Sequence, residues 1–401
     1  MSARFAWASL LLVPLAAVPA ACQCAATPPP AFAEGRVDGG CLLVREGDGP
    51  DGTVPVRAQT VVSGLEVPWA LAFLPGGGFL VSERPGRVRL FRNGRLQEAP
   101  VIRFPPAGTA EGGLMGLALH PDFAANRFLY LYRTTVSGAG EKANAVERWK
   151  LSEDLGSASL DRVIVDRIDA ALYHDGGRIR FGPDGMLYVG TGDATEPERA
   201  QDPSSLNGKL LRLTPEGEAP TDNPFPASPV YLSGIRNTEG FDWKEPSLLY
   251  LVDHGPSGEL GGRTGHDEVN LAKPGDNLGW PRIWGCQRGP GMVSPLVTWD
   301  KAVPPGGAAL YSGDSIPEWR GSLMVGVLGA KHLHRVVFDP LHPERVVGHE
   351  VYFRGEPPKG LGRLREVVMG PDGALYVTTS NCDGRGICPK EKDKVVRVVA
   401  R

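Results

Sequence analysis

The sequence has no run of lysines or arginines of the kind that tracks a phosphate backbone, and its formal net charge is only −3. Nothing in that balance points to nucleic acid. No apolar stretch is long enough to cross a bilayer; the best, Phe5 to Val18, is short and contains Pro14. Long helical periodicity is hard to find, and no two cysteines have the CxxC spacing that favours zinc. What the chain has in quantity is turn residues. Among 401 residues, 53 are Gly and 37 are Pro, spread along the chain rather than clumped. Many short strands joined by tight turns need such residues, because Gly supplies positive φ and Pro fixes φ near −65°. With 41% hydrophobic residues there is material for a sizeable core, and the length suits one large all-β domain.

The N-terminus follows the grammar of an export signal. Arg4 supplies a small positive region, Phe5 to Val18 an apolar region, and Pro19-Ala20-Ala21 small residues for cleavage. Residues 1–24 are therefore expected to be a signal peptide. Cys22 stands where a lipoprotein cysteine would be acylated, which would tether an exported protein, periplasmic or secreted, to a membrane. Residues 25–50, rich in Ala and Pro at their start, are expected to be a linker or N-terminal extension, and residues 51–401 the folded domain. Outside the export region four cysteines remain, an even number that suits two disulfides in an oxidising compartment. Cys382 and Cys388 flank a Gly-containing loop and are expected to pair, which leaves Cys41 for Cys286.

A turn-then-strand phrase recurs. It is clearest in Phe181-Gly182-Pro183-Asp184-Gly185-Met186-Leu187-Tyr188-Val189 and Met369-Gly370-Pro371-Asp372-Gly373-Ala374-Leu375-Tyr376-Val377. Looser copies start at Leu74, His120, Glu245 and Trp319. Six phrases of similar build predict an all-β, six-bladed β-propeller with loops of unequal length, in preference to a β-sandwich.

Three groups of residues could carry chemistry. His174 sits beside Gly176-Gly177, and one hairpin could bring Asp193 to its ring, fixing the tautomer and leaving the other nitrogen as a base. Asp253-His254-Gly255-Pro256, followed by His266-Asp267-Glu268, offers carbonyl and carboxylate oxygens of the kind calcium takes. Arg236-Asn237, with Arg363 and Arg365 two apart on a strand, could form an anion cradle. Taken singly, these fit a surface histidine, a loop of solvated acids and a solvated strand face equally well.

Together the phrases closely resemble the soluble aldose sugar dehydrogenases, the glucose/sorbosone dehydrogenase family that depends on pyrroloquinoline quinone (PQQ). The resemblance runs from about Gly64 to the C-terminal strand. Its landmarks are Gly112-Gly113-Leu114-Met115-Gly116, His120-Pro121-Asp122-Phe123, the His174 loop, Ile235-Arg236-Asn237, His254-Gly255-Pro256, Asp267-Glu268-Val269-Asn270, Asn277-Leu278-Gly279-Trp280-Pro281 and Gly362-Arg363-Leu364-Arg365. It implies His174 as base with Asp193 as its orienter. It implies quinone contacts at Glu111, Arg236, Asn237, Arg363 and Arg365, with Lys331 two residues beyond the position of the family lysine. It also implies Ca2+ held by the carbonyls of Gly255 and Pro256, and a second Ca2+ held by Glu268 and the carbonyl of Leu278. The implied reaction removes the proton of an aldose anomeric hydroxyl at His174 and a hydride to the quinone, with Ca2+ and Arg236 polarising its carbonyl. A lactone results, and the electrons pass to an external acceptor, a cytochrome or a quinone. Two further departures stand near the base: Tyr173 where glucose-specific members carry Asp, and Glu111 where many carry Gln. The rival functions are a calcium-dependent propeller lactonase or esterase, which would not need the three arginines, and a non-enzymatic cell-surface binding propeller, which would have lost the base or the arginines.

Overall fold

The computed structural model describes residues 40–107 and 110–401; the expected signal peptide, with Cys22, lies outside them. Six antiparallel sheets follow one another along the chain. Blade 1 starts with Pro68–Phe73, blade 2 with Leu114–Leu119, and blade 3 with Ile179–Phe181. Blade 4 starts with Gly240–Glu245, blade 5 with Pro305–Leu310, and blade 6 with Leu364–Met369. These first strands are the inner ones, and neighbours such as those of blades 4 and 5 or 5 and 6 lie against one another around the axis. The arrangement is the expected six-bladed propeller.

The inner ring is tight enough to require glycine. A Cβ on Gly240 would stand 2.6 Å from the Ala308 nitrogen, and one on Gly306 would stand 2.6 Å from the Arg365 carbonyl oxygen. Each of the six turn-then-strand phrases spans the connection from the first to the second strand of one blade. Because the strands alternate in direction, all six turns fall on one edge of the ring. The loops from second to third strand, and the connections between blades, fall on the other edge.

The core lies between blades. Leu210, Leu232 and Ile235 pack on Phe241, Leu249 and Leu251 between blades 3 and 4. Trp299, Val252 and Val269 meet Leu323, Val325 and Val327 between blades 4 and 5. A second strand such as Leu323–Val327 is buried at every residue because sheets cover both its faces, so it reads as an unbroken apolar run. The ring is closed by chain termini. Val56–Leu65 pairs antiparallel with the last strand, Asp393–Ala400, and completes blade 6. The described end of residues 25–50 does more than link: Leu42–Val44 adds a parallel strand to the edge of blade 4 beside Val297–Trp299, and Cys41 is disulfide-bonded to Cys286. The second disulfide joins Cys382 and Cys388, as expected.

Candidate active site

The edge opposite the six turns carries a cavity of about 510 Å3. Every blade contributes to it through a second-to-third-strand loop or a connection between blades. Arg84 comes from blade 1, Glu111, Tyr173 and His174 from connections, and Asp193 from the blade 3 loop. Arg236 and Glu239 precede blade 4, Glu259 lies on its loop, Arg363 and Arg365 open blade 6, and Arg385 lies on the disulfide-closed loop. Below the cavity the axis is filled by charge. Arg178 is ion-paired with Glu366, which also takes Arg180 at 3.2 Å, and the Arg178 guanidinium lies 4.4 Å above the Trp69 ring.

His174 Nδ1 lies 2.7 Å from Asp193 Oδ1. A carboxylate can only accept, so in the neutral ring the proton sits on Nδ1 and the lone pair on Nε2. Asp193 is fully buried and anchored from elsewhere: the Trp280 indole N–H donates to its Oδ2 at 2.9 Å and the Thr195 N–H to its Oδ1 at 2.8 Å. His174 itself has φ 63°, a left-handed conformation unusual for its residue type. Two glycines permit it to lie so close to the Asp193 loop. A Cβ on Gly192 would meet the His174 carbonyl oxygen at 2.0 Å, and one on Gly176 the Thr191 Cα at 2.6 Å. Glu111 accepts the His174 N–H at 2.9 Å and Arg385 at 2.9 Å. Burial raises the Glu111 carboxyl, but that N–H and Arg385 outweigh it and hold the group below the usual carboxylate range.

The three expected arginines converge from two sides. Arg236 pairs with Glu259 at 2.5 Å and donates to Ser257 Oγ at 3.0 Å. Its main-chain N–H, and that of Asn237, are clamped by the Asp253 carboxylate at 2.9 and 2.7 Å. Arg363 pairs with Asp383 at 2.8 Å, and Arg365 with Glu239. Asn237 does not line the cavity. Its amide oxygen accepts the Gly176 N–H at 2.8 Å, so it braces the His174 loop instead. Lys331 also lies off the cavity: it sits in the turn after Leu323–Val327, past the cavity-lining Leu328, and its ammonium is paired with Glu356 at 2.5 Å. Sequence reasoning missed Arg84, Arg385, Trp280 and the carboxylates Glu239, Glu259 and Asp383. The available signal was register: Arg84 and Asp383 fall after the second strands of their blades, as Asp193 does.

Gly255 and Pro256 are buried between His254 and Ser257, both of which line the cavity. Gly255 N–H donates to Asp267 Oδ1 at 3.0 Å. Deeper in blade 4, burial drives the Glu268 carboxyl well above its ordinary range, and Asp253 adds repulsion. Near it are two buried oxygens with no hydrogen-bond partner: Asn270 Oδ1, whose amide nitrogen bonds Glu268, and Thr298 Oγ1, on its cross-strand partner. Orphan oxygens beside a carboxylate that burial disfavours are a donor set that fits a hard cation. Among the described residues no three His, Cys, Asp or Glu side chains converge as a metal site, so such an ion would draw on amide, hydroxyl and main-chain oxygens.

The family model for glucose/sorbosone dehydrogenases matches residues 65–388. The chain belongs to the glucose/sorbosone dehydrogenase family. Among its relatives is the aldose sugar dehydrogenase YliI of Escherichia coli strain K12, 32% identical over 354 residues, covering 82% of this chain and 91% of the relative. A crystal structure described as an oxidoreductase (glucose dehydrogenase) from Thermus thermophilus is 47% identical, with a TM-score of 0.77 over 86% of this chain and 100% of that one. The PQQ-bound aldose sugar dehydrogenase of Streptomyces coelicolor is 34% identical, with a TM-score of 0.75 over 87% and 99%. Within this glucose/sorbosone dehydrogenase, the matched residues span the ring from Leu65, at the end of the closing strand, to the second disulfide.

Proposed function

We propose that the protein is a PQQ- and calcium-dependent dehydrogenase that oxidises the anomeric carbon of aldoses to lactones. The observation that carries this reading is His174, held by Asp193 at 2.7 Å, facing the same cavity as Arg236, Arg363 and Arg365. His174 Nε2 takes the proton of the anomeric hydroxyl, and Asp193 stabilises the imidazolium that forms. Arg236, Arg363 and Arg365 hold the carboxylates of the cofactor, which when bound supplies the two-electron acceptor. Their partners Glu259, Asp383 and Glu239 keep the cradle from carrying uncompensated charge before binding. The Gly255 and Pro256 carbonyls would hold a calcium ion beside the cavity, and Glu268 with the Leu278 carbonyl a second one. Electrons would leave to an external cytochrome or quinone. Two disulfides support export, with residues 1–24 as the signal, residues 51–401 as the catalytic propeller and Cys22 as a lipid tether.

The test is reconstitution of the purified protein with Ca2+ and PQQ, followed by dye reduction with a panel of aldoses. The expected outcome is a spectral change on cofactor addition and aldose-dependent turnover; the absence of both sinks the reading. His174→Ala should abolish turnover and spare cofactor uptake. Substantial residual turnover in that variant would mean that another group is the base.

A further inference from the structure

Five guanidinia line the cavity, and four of them already have a carboxylate of the chain: Arg236 has Glu259, Arg363 has Asp383, Arg365 has Glu239 and Arg385 has Glu111. Arg84 differs. Among the described residues no carboxylate stands within ion-pair distance of it, and its side chain makes one long bond, Nη2 donating to the Asp383 carbonyl oxygen at 3.4 Å. The side chain is half-buried at the cavity wall. Burial and repulsion from Arg365 lower its pKa to about 10, outweighing the more distant attraction of Asp383, Glu239 and Glu111. A half-buried guanidinium without an ion pair is placed to gain from an anion that enters the cavity.

The main chain, not the side chain, holds the loop in place. Arg84 N–H donates to the Val67 carbonyl oxygen at 3.0 Å, and its own carbonyl accepts from Leu114 N–H at 3.0 Å. Gly113 packs against that carbonyl so closely that a Cβ there would lie 2.3 Å from the oxygen. The loop thus has a fixed backbone and a guanidinium that makes no ion pair, only the long bond to Asp383. Lys331, the cation expected to complete the cradle, is committed to Glu356 outside the cavity.

We propose that Arg84 is a fourth cofactor-binding guanidinium, which pairs with a carboxylate of the bound quinone. The inference rests on the quinone-dependent reading above and adds a residue to its cradle. A charge-assisted hydrogen bond of this kind is worth about a tenfold to hundredfold change in affinity. Arg84→Gln, which keeps the aliphatic stem, should weaken PQQ binding by that factor. The measurement is calorimetric or tryptophan-fluorescence titration of the calcium-loaded apoprotein with PQQ, with unchanged thermal unfolding as control. Arg84→Met provides a second variant should glutamine disturb folding, with the same loss expected. The PQQ trimethyl ester provides the discriminating arm: the gap between wild type and variant should close to within about threefold once the carboxylate is masked, because a neutral ester forfeits the charge assistance. Wild-type PQQ affinity in the variants overturns the proposal, as does an equal loss for acid and ester, which would make Arg84 a shaper of the cavity. Wild-type protein that binds no PQQ overturns the functional reading itself.

Discussion

At the scale of residues, the site is a set of charges held by neighbours, some within one blade, as Arg363 by Asp383, and some across blades, as Arg365 by Glu239. Asp193 shows why holding matters. Its two oxygens accept from His174, Thr195 and Trp280, so the imidazole has one tautomer and one orientation. Asp193→Asn puts an amide where an acceptor is needed and lets the ring take the other tautomer. It should lower kcat by about 100-fold or more with little change in quinone affinity; steady-state kinetics at saturating cofactor would show this, and a kcat within threefold of wild type would remove Asp193 from the mechanism. His174 and Asp193 were legible in the sequence because one hairpin joins them. Trp280 was not, since 87 residues separate it from Asp193 and only the ring brings them together. The same holds for Arg365 with Glu239, paired across 126 residues.

At the scale of elements, the repeated phrase located the blades but not the chemistry. Its Pro-Asp-Gly turns lie on the edge away from the cavity, where their function is to reverse the chain. The informative positions come after the second strand, where blades diverge and repetition ends. The loop closed by Cys382 and Cys388 is such an element. It carries Asp383 to Arg363, and Arg385 to Glu111 and to within 5.6 Å of the Tyr173 ring. Closing so short a loop contributes roughly 2 kcal/mol by chain entropy. The paired substitutions Cys382→Ser and Cys388→Ser should lower the melting temperature by several degrees and raise the quinone concentration needed for half-activation several-fold. A variant with unaltered melting and activation would show that the loop keeps its shape unaided.

At the scale of the whole molecule, the apolar interfaces between blades fix the fold, and the strands that build them were legible through the six repeated phrases. A polar column in blade 5 was not. His332 Nε2 lies 3.1 Å from His334 Nδ1, and His334 Nε2 lies 3.2 Å from His349 Nδ1, the last two rings stacked. Burial lowers the pKa of His332 to about 4 and lowers those of His334 and His349 as well. The unfolded chain binds these protons near pH 6.5, so it gains protons before the folded chain does. The column's contribution to stability is therefore present above pH 6.5 and is lost as the pH falls towards about 4. For His332 alone that is about 3 kcal/mol. Urea unfolding at pH 7 and pH 4.5 should show the drop, and His332→Asn should shrink it; an undiminished drop would assign acid sensitivity to other groups.

The strand Val56–Leu65 has a consequence for how the protein is made. Its hydrogen-bonding partner, Asp393–Ala400, is synthesised more than 300 residues later. Until then Val56–Leu65 has an open β-ladder, because the third strand that joins it to blade 6 has not been made. The antiparallel strands of blades 1 to 5 are consecutive in the chain, so blade 6 alone waits for the last strand, and until then the open edge of Val56–Leu65 is a site for wrong pairing. Asp393–Ala400, the last strand to be made, is thus the final clasp of the molecule's biogenesis.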